Sequence, residues 1–193
     1  MSERTPAPDP DDRGRKRGRA MPDRIPWTQR RFDFSFPSGI YPELLERLRG
    51  APVRARALAA EASAEVLTRR SGDTWSIQEN IAHLADTDRA LFVMRLDQYD
   101  QEVDVLVAAD MTNRATWQAH HNARPIDEVL DDLASVRGGI IQRLETKPPD
   151  YFGRSARHPR LQQPMRVADL LLFKAEHDDY HFARARELLR GGA

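Results

Sequence analysis

Apolar residues recur at helical spacing along most of this chain, and four stretches carry the pattern. From about Pro42 to Leu67 the apolar positions are Leu44, Leu45, Leu48, Val53, Leu58 and Val66. Steps of three and four residues put such side chains on one helix face. Gly50 and Pro52 weaken the middle of this stretch, so a split or kink is expected there. Ser71-Gly72-Asp73 reads as a turn.

The second stretch has a strong start signal. Ser76 is a good N-cap, and Glu79 three residues later completes a capping box. Trp75 precedes the cap, where a hydrophobic staple residue sits. This helix is expected to reach about Tyr99. A long connection, 100–124, follows. Pro125 opens the third helix, because the first helical turn tolerates proline. Ile126, Val129, Leu130, Leu133, Val136, Ile140, Ile141 and Leu144 form its stripe, and Pro148-Pro149 ends it. Residues 150–164 read as a loop. The fourth helix spans about Val167 to Leu189 and stops at Gly191-Gly192. No stretch alternates convincingly enough to predict a strand, and there is no internal repeat. The fold class is all-α, and the economical architecture is a four-helix bundle.

Residues 1–37 differ from the rest. They hold six of the 13 prolines, a basic cluster (Arg13, Arg15, Lys16, Arg17, Arg19) and few large apolar residues before Ile25 and Trp27. The expectation is a partly disordered Pro/Arg-rich tail over 1–24, then a strap in which Ile25, Trp27, Phe32, Phe34 and Phe36 lie against the bundle. Met21 is a candidate start. The bundle domain is then 38–193.

Composition narrows the function. With 30 basic and 30 acidic residues the formal net charge is zero, so the whole chain offers no general attraction to nucleic acid or an anionic membrane. The basic cluster shares its tail with five acids and has no interleaved aromatics, which favours a solvated tail over a nucleic-acid contact. There is no Cys. That excludes disulfides, thiolate ligands and a Cys nucleophile, and is consistent with a cytoplasmic protein. No apolar run approaches membrane-spanning length, and no secretory h-region opens the chain.

Candidate chemistry lies in three histidines. His177 and His181 are four residues apart, so both rings leave one face of the fourth helix. That face also carries Leu170, Phe173, Arg184 and Leu188. His83 shares a face of the second helix with Thr87, Ala90 and Met94, which predicts that this face turns inward. Two readings fit: hydrogen-bonded core histidines, or three neutral imidazoles holding one divalent ion with coordination positions left open. Zinc or nickel suits imidazole best, with iron or manganese as alternatives. His83 lies in the first half of its helix and the pair in the second half of theirs. They share a level only if those helices run antiparallel. The loop lengths allow, without requiring, an up-down-down-up order with long crossover loops.

Other residues have competing roles. Glu79 could approach the ion, but its capping role already accounts for it. Asp86 could orient a ligand ring or lie in solvent. Asp178 and Asp179 are expected to be solvated or salt-bridged, and Tyr180 to pack or to donate a proton. Arg114, His120, His121 and Asn122 in the long connection, and His158 and Arg160 in the later loop, are either surface residues or a pocket rim.

Two blocks resemble a known family. Trp75-Ser76-Ile77-Gln78-Glu79-Asn80-Ile81-Ala82-His83-Leu84-Ala85-Asp86 resembles the W-S-x-x-E-x-x-x-H-L-x-D signature of the DinB/YfiT-like superfamily. Ala175-Glu176-His177-Asp178-Asp179-Tyr180-His181 resembles its second signature, E-H-D-x-x-H. Leu45–Pro52 and His158-Pro159-Arg160-Leu161 are similar to further family stretches, and the resemblance covers about residue 38 to the C-terminus. It implies a four-helix bundle, commonly homodimeric, in which His83, His177 and His181 hold a divalent metal. It further implies either a metal-dependent transferase of a low-molecular-weight thiol, or related hydrolase, or a non-catalytic metal- or small-molecule-binding stress-response bundle. No catalytic residue is assigned. Any thiol used must come from outside the chain.

Overall fold

The computed structural model describes residues 24–191. The expectations for residues 1–23, including the basic cluster and Met21, lie outside the described residues.

The first helical arm is divided into α1 (Tyr41–Arg49), α2 (Ala51–Ala59) and α3 (Ala64–Thr68). The break between α1 and α2 falls at Gly50, beside Pro52, whose missing amide proton is harmless at a helix start. Val53, expected on the apolar face, is 71% exposed. The restart at Gly50 interrupts the stripe at this position.

The second arm contains α4 (Ile77–Thr87), a π-helical segment (Asp88–Phe92) and α5 (Val93–Asp100). The capping box is formed: Ser76 Oγ accepts from the Glu79 amide, and the Glu79 carboxylate accepts from the Ser76 amide. The π segment corrects the expected facing of this arm. A wider turn rotates everything after it, so Ala90 is exposed and Met94 is 46% exposed, although both fall on the His83 face at regular α spacing.

The long connection holds a short helix, α6 (Arg114–Gln118), and a 3-10 turn (His121–Ala123). The third and fourth arms are α7 (Ile126–Glu145) and α8 (Val167–Gly191). Between them, where a plain loop was expected, lie a 3-10 turn (Pro149–Gly153) and a small antiparallel hairpin, β1 (Ser155–Arg157) with β2 (Pro164–Arg166). Three-residue strands are too short to show alternation, so the sequence pattern missed them.

Side-chain pairs record how the arms align. Asn80 meets His181 while Asp88 meets Lys174, so α4 and α8 pair in opposite senses. Arg89 meets Asp132 while Asp100 meets Arg143, so the second arm and α7 pair in the same sense. Arg47 meets Glu176 while Glu61 meets Arg186, so the first arm and α8 do as well.

Two apolar clusters form the core. One gathers Leu48, Leu96, Tyr99, Ile140, Phe152, Met165 and Leu171. The other gathers Leu58, Ile77, Ile81, Leu84, Val129 and Leu133. On three of the four arms buried charged residues interrupt the apolar positions: Asp88 on the second, Arg137 on α7, Lys174 and Asp178 on α8. These four are buried and pair with one another. Arg137 Nε donates to Asp88 at 2.8 Å and Nη1 to Asp178 at 2.7 Å, while Lys174 Nζ meets Asp178 at 2.6 Å and Asp88 at 3.0 Å. Two cations and two carboxylates balance, the condition under which buried charge is tolerated. Asp178 is thus salt-bridged and not solvated. Burial opposes its ionisation, but Arg137 and Lys174 prevail and hold its carboxyl down to about 2. Asp179, by contrast, pairs at the surface with Arg47 and Arg54.

The segment before α1 lies along α8. Trp27 is buried, and Phe32, Phe34 and Phe36 pack against the first cluster. Ile25 departs from the expectation at 60% exposed. Side chains from the hairpin region hold this segment by its carbonyls: Arg160 donates to Thr28 O, Gln163 to Phe32 O, and Arg166 to Phe34 O and Phe36 O. No helix among the described residues is long and apolar enough to cross a membrane.

Candidate metal centre

α4 presents His83 to the face of α8 that carries His177 and His181. One ring nitrogen from each lies within 4.8 Å of the others, so the three could hold one metal ion. His83 and His181 are buried outright; His177 keeps some exposure as a residue, but its ring Nδ1 is enclosed. Burial is the main cause that depresses all three. His83 and His177 are pushed well below the ordinary value and His181 to about 3, with the nearby Lys174 charge adding to the effect. The rings are neutral near pH 7, the state a ligand requires.

Surrounding groups fix which nitrogens face inward. Asn80 Nδ2 donates to the carbonyls of Ser76 and Trp75, so its Oδ1 is left to accept from His181 Nδ1 at 2.9 Å. Thr116 Oγ1 donates to Asp86 Oδ2 at 2.8 Å, so its oxygen accepts from His83 Nδ1 at 3.0 Å. Both rings then carry their proton on Nδ1 and keep a lone pair on Nε2. His181 Nε2 lies 3.2 Å from His177 Nε2. Without an ion, His177 must hold its proton on Nε2 and donate it to His181. That choice leaves His177 Nδ1 buried with no partner.

The enclosure is aromatic. Trp75 lies 4.6 Å from His83 and 5.9 Å from His181, ring centre to ring centre, and Trp27 lies 5.1 Å from His177. Tyr180 packs edge-on against His181 at 5.4 Å, the packing role expected of it.

The remaining candidates divide. Asp86 is in the shell behind His83, through Thr116, and also meets His121 Nε2 at 2.9 Å. The long connection therefore delivers His121 and Thr116 to the back of the site. Asn122 accepts from Ser76 Oγ, whereas Arg114 and His120 are exposed. Glu79 is outside the cluster; burial raises its pKa, but Arg70 and the Ser76 amide hold it lowered overall. His158 and Arg160 lie against Phe173, with Arg160 also near the Trp27 ring, and not among the triad. Thr116 and Asn80 were not singled out from the sequence, and Trp27 was expected in the strap but not beside a ligand ring. Asn80 was legible in principle, one turn before His83 on the same face. Trp27 and Thr116 are remote in sequence and carry no local signal.

Comparison with known proteins gives the chain a family and a fold. Residues 47–185 match the model of the DinB superfamily. The fold is similar to that of YfiT from Bacillus subtilis, a probable metal-dependent hydrolase with an unusual four-helix bundle topology. The TM-score is 0.70 at 18% identity, over 83% of this chain and 92% of that one. No curated protein matches the chain.

Proposed function

The chain belongs to the DinB superfamily, and from that premise we propose that His83, His177 and His181 hold one divalent ion in a metal-dependent enzyme. The observation that carries this reading is the 3.2 Å approach of two Nε2 atoms inside an aromatic enclosure, with outer hydrogen bonds turning lone pairs inward. Two imidazole nitrogens at the usual zinc distance of about 2.0–2.1 Å would stand a little over 3 Å apart, close to this separation. Zinc or nickel suits the all-imidazole donor set best, with iron or manganese as alternatives.

Three protein ligands leave positions open, the pattern of a reactive and not a closed structural site. Held by His83, His177 and His181, a divalent ion would supply Lewis acidity toward water or an external thiol. The chain's own residues orient and enclose. Asn80 and Thr116 hold two ligand rings in their tautomers, and Asp86 makes His83 a stronger donor through Thr116. Trp27 and Trp75 limit water. Transfer to or from a low-molecular-weight thiol, or a related hydrolysis, is the reaction proposed. The thiol substrate and a homodimeric assembly come to this reading from the family resemblance, and the YfiT likeness adds hydrolysis.

Turnover of a panel of thiols with electrophiles, and of ester and amide substrates, tests the enzymatic part. Activity that disappears with a chelator and returns with zinc or nickel is expected. A fully metal-loaded protein inert across the panel would instead make it a binding module.

A further inference from the structure

We propose that Arg160 and His158, backed by Arg95, form a site for a small oxyanion, the carboxylate or phosphate of a bound molecule. That the molecule's other end reaches the histidine triad rests on the function proposed above; the anion site itself does not.

Two buried arginines are provided for very differently. Arg137, 1% exposed, has two carboxylates. Arg95, 2% exposed, has only the Val107 carbonyl, at 3.3 Å from Nε and 3.0 Å from Nη2. Arg160 gives Nη1 to the Thr28 carbonyl, while its Nη2 is buried with no partner. Neither Arg95 nor Arg160 forms an ion pair among the described residues, in a chain where most other buried or half-buried arginines do. A guanidinium withdrawn from water without a counter-charge is costly, and so is a buried N–H with no acceptor.

His158 adds a third donor. It is 2% exposed, and its Nδ1 accepts from the amides of Arg160 and Leu161, both at 3.2 Å. Its proton therefore sits on Nε2, which is buried with no partner. The three basic groups act on one another. Burial first, then Arg95 and Arg160, push His158 down to about 3; burial, then Arg160, pushes Arg95 down to about 10. The unanswered groups are all donors or positive charges. Such a cluster excludes a metal and calls for an anion with acceptor oxygens, which guanidinium recognises well.

Its position gives it a use. His158 packs on the Phe173 ring at 5.1 Å, and the Arg160 guanidinium lies 5.6 Å from the same ring. Phe173 precedes His177 by one helical turn. The Trp27 ring touches both, at 4.9 Å from Phe173 and 5.1 Å from His177. Arg160 and His177 thus both adjoin one indole. An amino-acid- or peptide-like thiol, with an oxyanion at one end and sulfur at the other, would span them once the segment carrying Trp27 shifts.

The test uses the full chain freed of metal by chelation. Inorganic phosphate and acetate are titrated at fixed ionic strength against chloride, reading the unfolding temperature and tryptophan fluorescence. A saturable rise with one of the two oxyanions, absent with chloride, is expected, and which one binds identifies the group. Arg160→Gln should weaken binding about tenfold or more, as for the loss of a charged donor. Should that variant fail to fold, His158→Asn keeps the acceptor for the two amides, removes the Nε2 donor, and should weaken binding several-fold. The His177→Ala, His181→Ala double variant should bind the anion like the unaltered chain, so failure of the metal reading leaves this result intact. No saturable binding beyond chloride, or equal binding by the Arg160 and His158 variants, overturns the proposal.

Discussion

His181 Nδ1 donates to Asn80 Oδ1 at 2.9 Å, across the α4–α8 contact, and this bond decides which nitrogen of His181 faces His177. Thr116 does the same for His83. Asn80→Leu and Thr116→Val should each weaken metal retention about 10–100-fold, the effect of losing an outer hydrogen bond to a ligand ring. Competition with a coloured chelator measures this. Retention equal to that of the unaltered chain would show that the outer bonds do not prepare the ligands.

The Asp88–Arg137–Lys174–Asp178 quartet should behave as a unit. Arg137→Met leaves two carboxylates facing Lys174 alone, and should cost about 3–5 kcal/mol in urea unfolding. Adding Asp178→Leu restores neutrality around Asp88 and Lys174. The double variant should therefore be less destabilised than the sum of the two single ones. Simple additivity would show that the four charges are not coupled.

Stability of the metal-free protein should fall with acid. The folded His158 titrates at about 3, against an ordinary 6.5. Below pH 6.5 the unfolded chain takes up a proton that the folded chain refuses. The contribution is therefore complete above pH 6.5 and is lost as pH falls toward 3. The three triad histidines are depressed too and act in the same direction. His158→Asn removes one of these titrations while keeping the turn. Between pH 7 and pH 5 the variant should lose less unfolding temperature than the unaltered chain. An equal loss would mean that His158 is not held neutral.

Much of this was legible from sequence for a physical reason. Local signals found the arms: the Ser76–Glu79 capping box, the α7 stripe from Val129 to Leu144, the proline at the start of α7. Facing arithmetic aimed His177 and His181 inward. It failed beyond Thr87, because the π segment at Asp88–Phe92 changes the pitch without any mark in the apolar pattern. It also passed over Arg137, which lies on the apolar stripe between Leu133 and Ile140, where a charged residue signals a buried partner. Trp27 reaches His177 over 150 residues of sequence, and Thr116 reaches His83 from a connection with no periodicity. Contacts of that kind follow from packing and leave no spacing to read.

Metal content is the most direct measurement. The purified chain, reconstituted with zinc or nickel and desalted, should carry close to one equivalent by elemental analysis. The His177→Ala, His181→Ala double variant, confirmed as folded by circular dichroism, should carry almost none. Equal metal in the two proteins, or none in the unaltered chain, would contradict a centre built on His83, His177 and His181.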